Sequence, residues 1–333
     1  MDVLLSIPVM SYFLAPAPSF SSIGVSLLIY LNWLTLILSH SALKVHLVGV
    51  LALRVVFWLL PSLLTLLFDA SLPSLAESIK HGRRAGLPPR NRRVLAQLLL
   101  LAVFNTAFLV AVEGACSYAL TVLTGTPEFV VATTLPLPWQ MAKHMAVMML
   151  AREALQYYIH RLLLHGRSSS SVARLHKQYA HAQSGAPFSL QLMTDHPVPL
   201  LLHRFLPMYL PGVALRHTHL LTYFFFVALC TLEETFSMSG YTVAPGILLR
   251  GLAQRGAIHY ASGGAANFGP YGVADWAHGT SRGRDVLEDL QDEAEKHHLP
   301  ERAGKKVSDG AGMLQDGLEA LRGNKSNKAR KRP

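Results

Sequence analysis

The chain has 333 residues, 51% of them hydrophobic and only 15% charged, with a mean hydropathy of +0.30, a balance that suits several membrane spans better than a soluble core. Its formal net charge of +10 comes from basic residues between apolar stretches and near the end of the chain, without an aromatic-interleaved basic groove, which argues against nucleic acid as a partner. The two cysteines, Cys116 and Cys230, both sit inside apolar runs, which excludes a disulfide scaffold and a zinc knuckle.

The stretch Met1 to Ser22 is apolar but lacks a basic start and contains Pro8, Pro16 and Pro18, a composition unlike a cleaved signal peptide. A membrane span needs roughly 20 apolar residues at 1.5 Å each. Six stretches meet that expectation, at about 22–39, 47–68, 94–113, 138–158, 198–216 and 219–237. The second contains Arg54, and the fourth contains Lys143, His144, Arg152 and Glu153, so these two read as partly interfacial. The arginines at 83, 84, 90, 92 and 93 mark their loop as cytosolic, which leaves 160–197 on the same side and turns the chain back through a hairpin at Arg216 to His219. Six spans place both termini in the cytosol.

The expected class is all-α: a polytopic membrane protein with a cytosolic, histidine-bearing helical cap. Three regions follow: an N-terminal transmembrane region at 1–137, a second membrane domain at 138–280, and a charged tail at 281–333. The tail ends in a basic run from Lys325 to Arg332 and reads as a flexible or surface-bound segment.

Ten of the sixteen histidines fall between His160 and His278. Imidazole suits iron and zinc, and a dense group beside span ends is hard to explain by packing. His160 and His165 are five residues apart, about 140° around an ideal helix. They can meet one centre only if the last turn distorts, through the helix-ending Gly166 or a π-bulge. His176 and His181 repeat the spacing after a serine-rich link.

His196 follows Asp195, a carboxylate of the kind that orients a ligating imidazole. The pair also fits a plain helix cap. Depth places His217 and His219 roughly 30 Å away on the opposite face, and puts His203 too deep in its span. Glu233 and Glu234 return to the cytosolic face, where at least one should point inward as a metal ligand, as an acceptor behind a ligand, or as a helix-end charge.

The succession Tyr158-Ile159-His160-Arg161 to His165, Leu175-His176-Lys177, Ala186-Pro187-Phe188, Asp195-His196-Pro197, Leu232-Glu233-Glu234-Thr235, Ser239-Gly240-Tyr241 and Asn267-Phe268-Gly269 to Gly279-Thr280 resembles the sterol desaturase/fatty acid hydroxylase superfamily. The resemblance implies a helical domain that holds two non-haem irons through histidine boxes. It also implies a sterol or fatty-acyl lipid substrate, dioxygen, an electron donor such as cytochrome b5, and residence in the endoplasmic reticulum.

The chain departs from the family's pattern in several places. The second box has Tyr179 and Ala180 followed by His181; Met238 precedes Ser-Gly-Tyr; and the third box aligns with Ala257, Tyr260 and Ala261, leaving His259 nearby. The expected metal set is therefore His160, His165, His176, His181, His196 and His259, with Asp195, Glu233 and Glu234 as supporting groups or further ligands. Six imidazoles suffice for one iron, or for two with ligands missing. The leading expectation is an iron-dependent membrane oxygenase, and the alternative is an inactive relative serving as a lipid-binding or scaffold protein. A transporter ranks last, since no paired half-helices are visible. His278 reads as a solvated loop histidine.

Overall fold

The computed structural model describes residues 20–166, 170–182, 186–243, 247–284 and 286–296. The readings of the first nineteen residues and of the tail beyond residue 296 lie outside them. The chain divides into a unit of Met1–Asp285 and a unit of Val286–Pro333. In the second, the described element is one amphipathic helix, Val286–Lys296.

The protein is 74% helical and has no strands among its described residues, as an all-α membrane protein requires. In the first unit the helices are α1 (Phe20–Ser39), α2 (Ala42–Ser71), α3 (Pro73–Ser78), α4 (Arg92–Thr124), α5 (Pro138–Tyr158), α6 (Ser171–Tyr179), α7 (197–214), α8 (Leu220–Ser237), α9 (Ile247–Ala261) and α10 (Val273–Ala277). Each boundary has a local cause. Asn91 caps α4 by accepting the Arg93 N–H at 2.9 Å, and Gly125 ends it in the left-handed region at φ 73°. Pro138 and Pro197 open α5 and α7, where the missing N–H costs nothing.

Helices occupy all six stretches expected as spans. Three of them, Ala42–Ser71, Arg92–Thr124 and Leu220–Ser237, are long and apolar enough to cross a membrane. The stretch around 198–216 differs from a plain span: α7 is interrupted by a π-turn at Leu201–Phe205 and carries Pro199, Pro207 and Pro211. α5 is helical across the expected range but includes the buried charges Arg152 and Glu153.

Exposure separates outer from inner helices. Leu64, Leu67, Leu100 and Leu123 are each more than 60% exposed, which makes the outer faces of α2 and α4 apolar over a length suited to lipid. α8 is more central, packing on α2, α5 and α9, and its Tyr223, Phe226 and Cys230 are buried with Trp58, Leu109 and Met148. Two π-turns bear on the histidines: Ile159–Leu164 extends α5, and Leu201–Phe205 interrupts α7.

Candidate metal centre

Six imidazoles converge where α5, α6, α7 and α9 meet: His160, His165, His176, His181, His203 and His259. Ring centroids lie 4.9 Å apart for His160 and His165, 4.6 Å for His160 and His259, 4.9 Å for His165 and His181, and 4.1 Å for His160 and His203. Two groups place one nitrogen per ring within 4.8 Å of one another: His160, His165 and His259, and His165, His176 and His181. His165 belongs to both.

The distortion that the five-residue spacing demands is present. The His165 N–H donates to the His160 carbonyl at 2.9 Å, an i→i+5 bond that brings residues five apart onto one side of the helix. The His165 ring packs against the backbone of Gly264, where an added Cβ would collide with the imidazole and φ is +81°, so only glycine suits that position. Ser170 caps α6 by accepting the Ala173 N–H at 3.1 Å and thereby starts the helix that carries His176.

The outer nitrogens are held in a defined state. His160 Nδ1 lies 3.0 Å from the Phe268 carbonyl and His259 Nδ1 lies 2.7 Å from the Ala266 carbonyl. A carbonyl only accepts, so both Nδ1 atoms carry hydrogen and both Nε2 atoms present lone pairs. Neither Nε2 has a hydrogen-bond partner, although both are buried. His176 Nδ1 donates to Asp195 Oδ2 at 2.6 Å. Its Nε2 and that of His181 come within 3.2 and 3.3 Å of His165 Nε2.

Buried, unpaired acceptors each cost about 1–3 kcal/mol, and a cation held between them would remove that cost. The donor set therefore fits a metal ion. Burial, followed by the neighbouring imidazoles, pushes His181 down to about 3, and burial pushes His259 down to about 4; His160 and His165 are lowered by the same two causes. All four rings are neutral at neutral pH, the form in which imidazole ligates.

The structure does not bring His196 into this group. Its Nδ1 accepts the Val198 N–H at 3.2 Å, capping α7, and its ring packs on Tyr179 at 5.2 Å. Asp195 orients His176, while its Oδ1 accepts the His196 backbone N–H at 2.6 Å. Glu233 and Glu234 face guanidinium groups: Arg152 reaches them at 3.1 and 2.7 Å, and Arg204 reaches Glu234 at 2.9 Å.

His203, unlike His196, packs on the cluster: its ring lies 4.1 Å from that of His160, while its Nε2 is 3.3 Å from Gln156 Nε2. Because α7 begins at Pro197, seven residues carry His203 only about 10 Å from His196, shallower than a full span implies. A signal was present, since a His-Arg pair inside an apolar run should face the protein interior. Asn105 was likewise missed. Its side-chain amide donates to the Met193 and Asp195 carbonyls at 2.8 Å each, fixing the loop that carries Asp195. Tyr260, at the family's third-box position, lies 4.8 Å from the His181 ring. His278 is exposed and bonds Tyr158 at 3.1 Å, as a surface histidine would.

Residues 145–280 match the family model described as fatty acid hydroxylase. All six converging imidazoles lie within the matched residues, whereas Asn105 reaches them from outside. No solved structure matches the chain.

The Asp195–His176 contact yields a measurable expectation. Asp195→Asn should weaken metal binding by roughly 10–100-fold, the usual effect of removing a carboxylate behind a ligating imidazole. His196→Ala should leave metal affinity unchanged and cost about 1 kcal/mol of stability as a lost cap. Competition with a chelator and thermal melts on the purified variants read the two effects separately; equal metal affinities for the two variants would refute the assignment.

Proposed function

We propose that this chain is an iron-dependent membrane oxygenase that hydroxylates or desaturates a sterol or fatty-acyl lipid using dioxygen. The observation that carries the reading is the convergence of five imidazoles in two groups of three, each group with ring nitrogens within 4.8 Å of one another and both sharing His165. The similarity of residues 145–280 to the fatty acid hydroxylase family supports it.

On this reading His160, His165 and His259 form one group of ligands and His165, His176 and His181 the other, with His203 beside His160. Because His165 is common to both, the set serves one iron fully, or two irons with incomplete shells. Bound iron would supply the dioxygen chemistry that an unactivated C–H bond requires.

The protein's own groups set the conditions. The Phe268 and Ala266 carbonyls and Asp195 hold the imidazole tautomers. A cavity of about 70 Å³ beside His160, His203, His259 and Arg204 has room for a few small molecules but not for an acyl chain. On this reading the lipid reaches the centre from the bilayer side. An electron donor such as cytochrome b5, location in the endoplasmic reticulum, and cytosolic termini complete the proposal.

A second reading, a lipid-binding or scaffold protein without turnover, draws on Ala257, Tyr260 and Ala261 at third-box positions and on the buried Met238 beside the cavity. Lipid profiles of cells lacking the gene, complemented with wild type or with His165→Ala, distinguish the two. An oxygenase leaves a specific precursor that disappears with wild type alone. Equal complementation by both chains would establish the second reading instead.

A further inference from the structure

A second concentration of basic side chains lies at the other end of α7 from the imidazole cluster. From His203 the helix runs to Ala214, about 16 Å, and Arg216 follows in the turn beyond it. There the segment 130–136, the first turns of α5 and the turn before α8 enclose a cavity of about 510 Å³, within the size range of small-ligand sites.

Its walls include Lys143, His144, Arg216, His217 and His219, with no carboxylate among the lining residues. Lys143 and Arg216 are exposed, and neither side chain takes part in a hydrogen bond or ion pair among the described residues. The wall is fixed in place: the Val130 N–H donates to the Thr218 carbonyl, and the Leu220 N–H donates to the Val130 carbonyl, both at 2.9 Å.

His219 adds a buried donor. It is 6% exposed, and its Nδ1 accepts the Leu221 N–H at 3.1 Å, so the ring hydrogen resides on Nε2. His219 lines the cavity, and its Nε2 sits near the Ala132 and Thr134 carbonyls of the same wall without forming a full hydrogen bond to either. The nearby Ala132 carbonyl already accepts the Trp33 indole N–H at 3.0 Å. Two cations without a carboxylate partner and a buried ring N–H with only weak carbonyl contacts thus border one cavity, a combination suited to an oxyanion.

The surroundings indicate the source of that oxyanion. Trp139, one turn before Lys143, is 77% exposed, and Leu137 beside it is 49% exposed. Exposed tryptophan next to basic residues at the end of membrane helices is characteristic of headgroup depth.

We propose that this cavity binds the phosphate of an anionic phospholipid in the leaflet opposite the imidazole cluster. The site is independent of the proposed oxygenase chemistry. Full-length protein in neutral detergent, titrated with phosphatidic acid and followed by native mass spectrometry, should bind the lipid. Lys143→Ala combined with Arg216→Ala should weaken binding roughly tenfold or more, from the loss of two headgroup-facing charges. Lys143→Arg with Arg216→Lys should retain it.

Both positions are exposed, so melting without lipid should not change in either double variant. His219→Asn, which keeps a capping acceptor but withdraws the Nε2–H, should weaken binding several-fold. Equal binding by wild type and the double alanine variant would overturn the proposal, as would equal binding of phosphatidylcholine. Displacement of the lipid by equimolar inorganic phosphate would overturn the lipid source.

Discussion

His165→Ala is expected to remove bound metal and activity together. Its Nε2 lies within 3.3 Å of two other ring nitrogens, and it is the one residue common to both three-imidazole groups. Its loss therefore leaves each group with two rings. The effect should exceed the roughly 10–100-fold change typical of groups behind a ligand. Iron per protein, measured after reconstitution with ferrous iron under reducing conditions, should fall to background. The variant should still fold, because His165 closes the end of the α5 extension through its backbone N–H, which alanine retains. Wild-type iron content in folded His165→Ala would sink the proposed centre.

Arg152→Ala is expected to act on the fold itself. The guanidinium is 1% exposed, pairs with Glu233 and Glu234 at 3.1 and 2.7 Å, and takes the Tyr271 hydroxyl at 2.7 Å. Removing it leaves Glu233 without its guanidinium partner and Glu234 with Arg204 alone. Breaking a buried pair from one side costs about 3–5 kcal/mol, since the remaining charge is stranded in a medium that solvates it poorly.

A marked drop in thermal stability in detergent should follow, with loss of metal as a consequence, because α5 and α8 no longer hold the His160 turn in register. The double variant Arg152→Ala/Glu233→Gln should recover part of the loss through coupling of the two sites. A melting temperature for Arg152→Ala within about 1 °C of wild type would refute this role.

Both predictions concern residues that were visible in the sequence but whose partners were not. Arg152 and Glu153 marked the 138–158 stretch as unusual, since charges inside an apolar helix must face the interior. Nothing local, however, pairs Arg152 with residues more than 80 positions away. His160 and His165 illustrate the opposite case: their spacing required a distorted turn, and the π-turn at Ile159–Leu164 supplies it. His196 and His203 show where linear reasoning misled. Proximity to Asp195 favoured His196, yet Asp195 turns its other oxygen to His176, nineteen residues earlier in the chain.

The helical membrane class, the approximate positions of the helices and five of the six converging imidazoles were legible in the amino-acid order. Apolar run length, proline and capping residues, and histidine spacing are local properties. Tertiary structure alone decided that His203 joins the group and His196 does not, that Glu233 and Glu234 turn to arginines, and that Gly264 and Asn105 shape the site. Those outcomes depend on which faces of α4, α5, α7, α8 and α9 meet. Burial makes every unpaired polar atom costly, so the packed arrangement selects partners by three-dimensional proximity across the bundle.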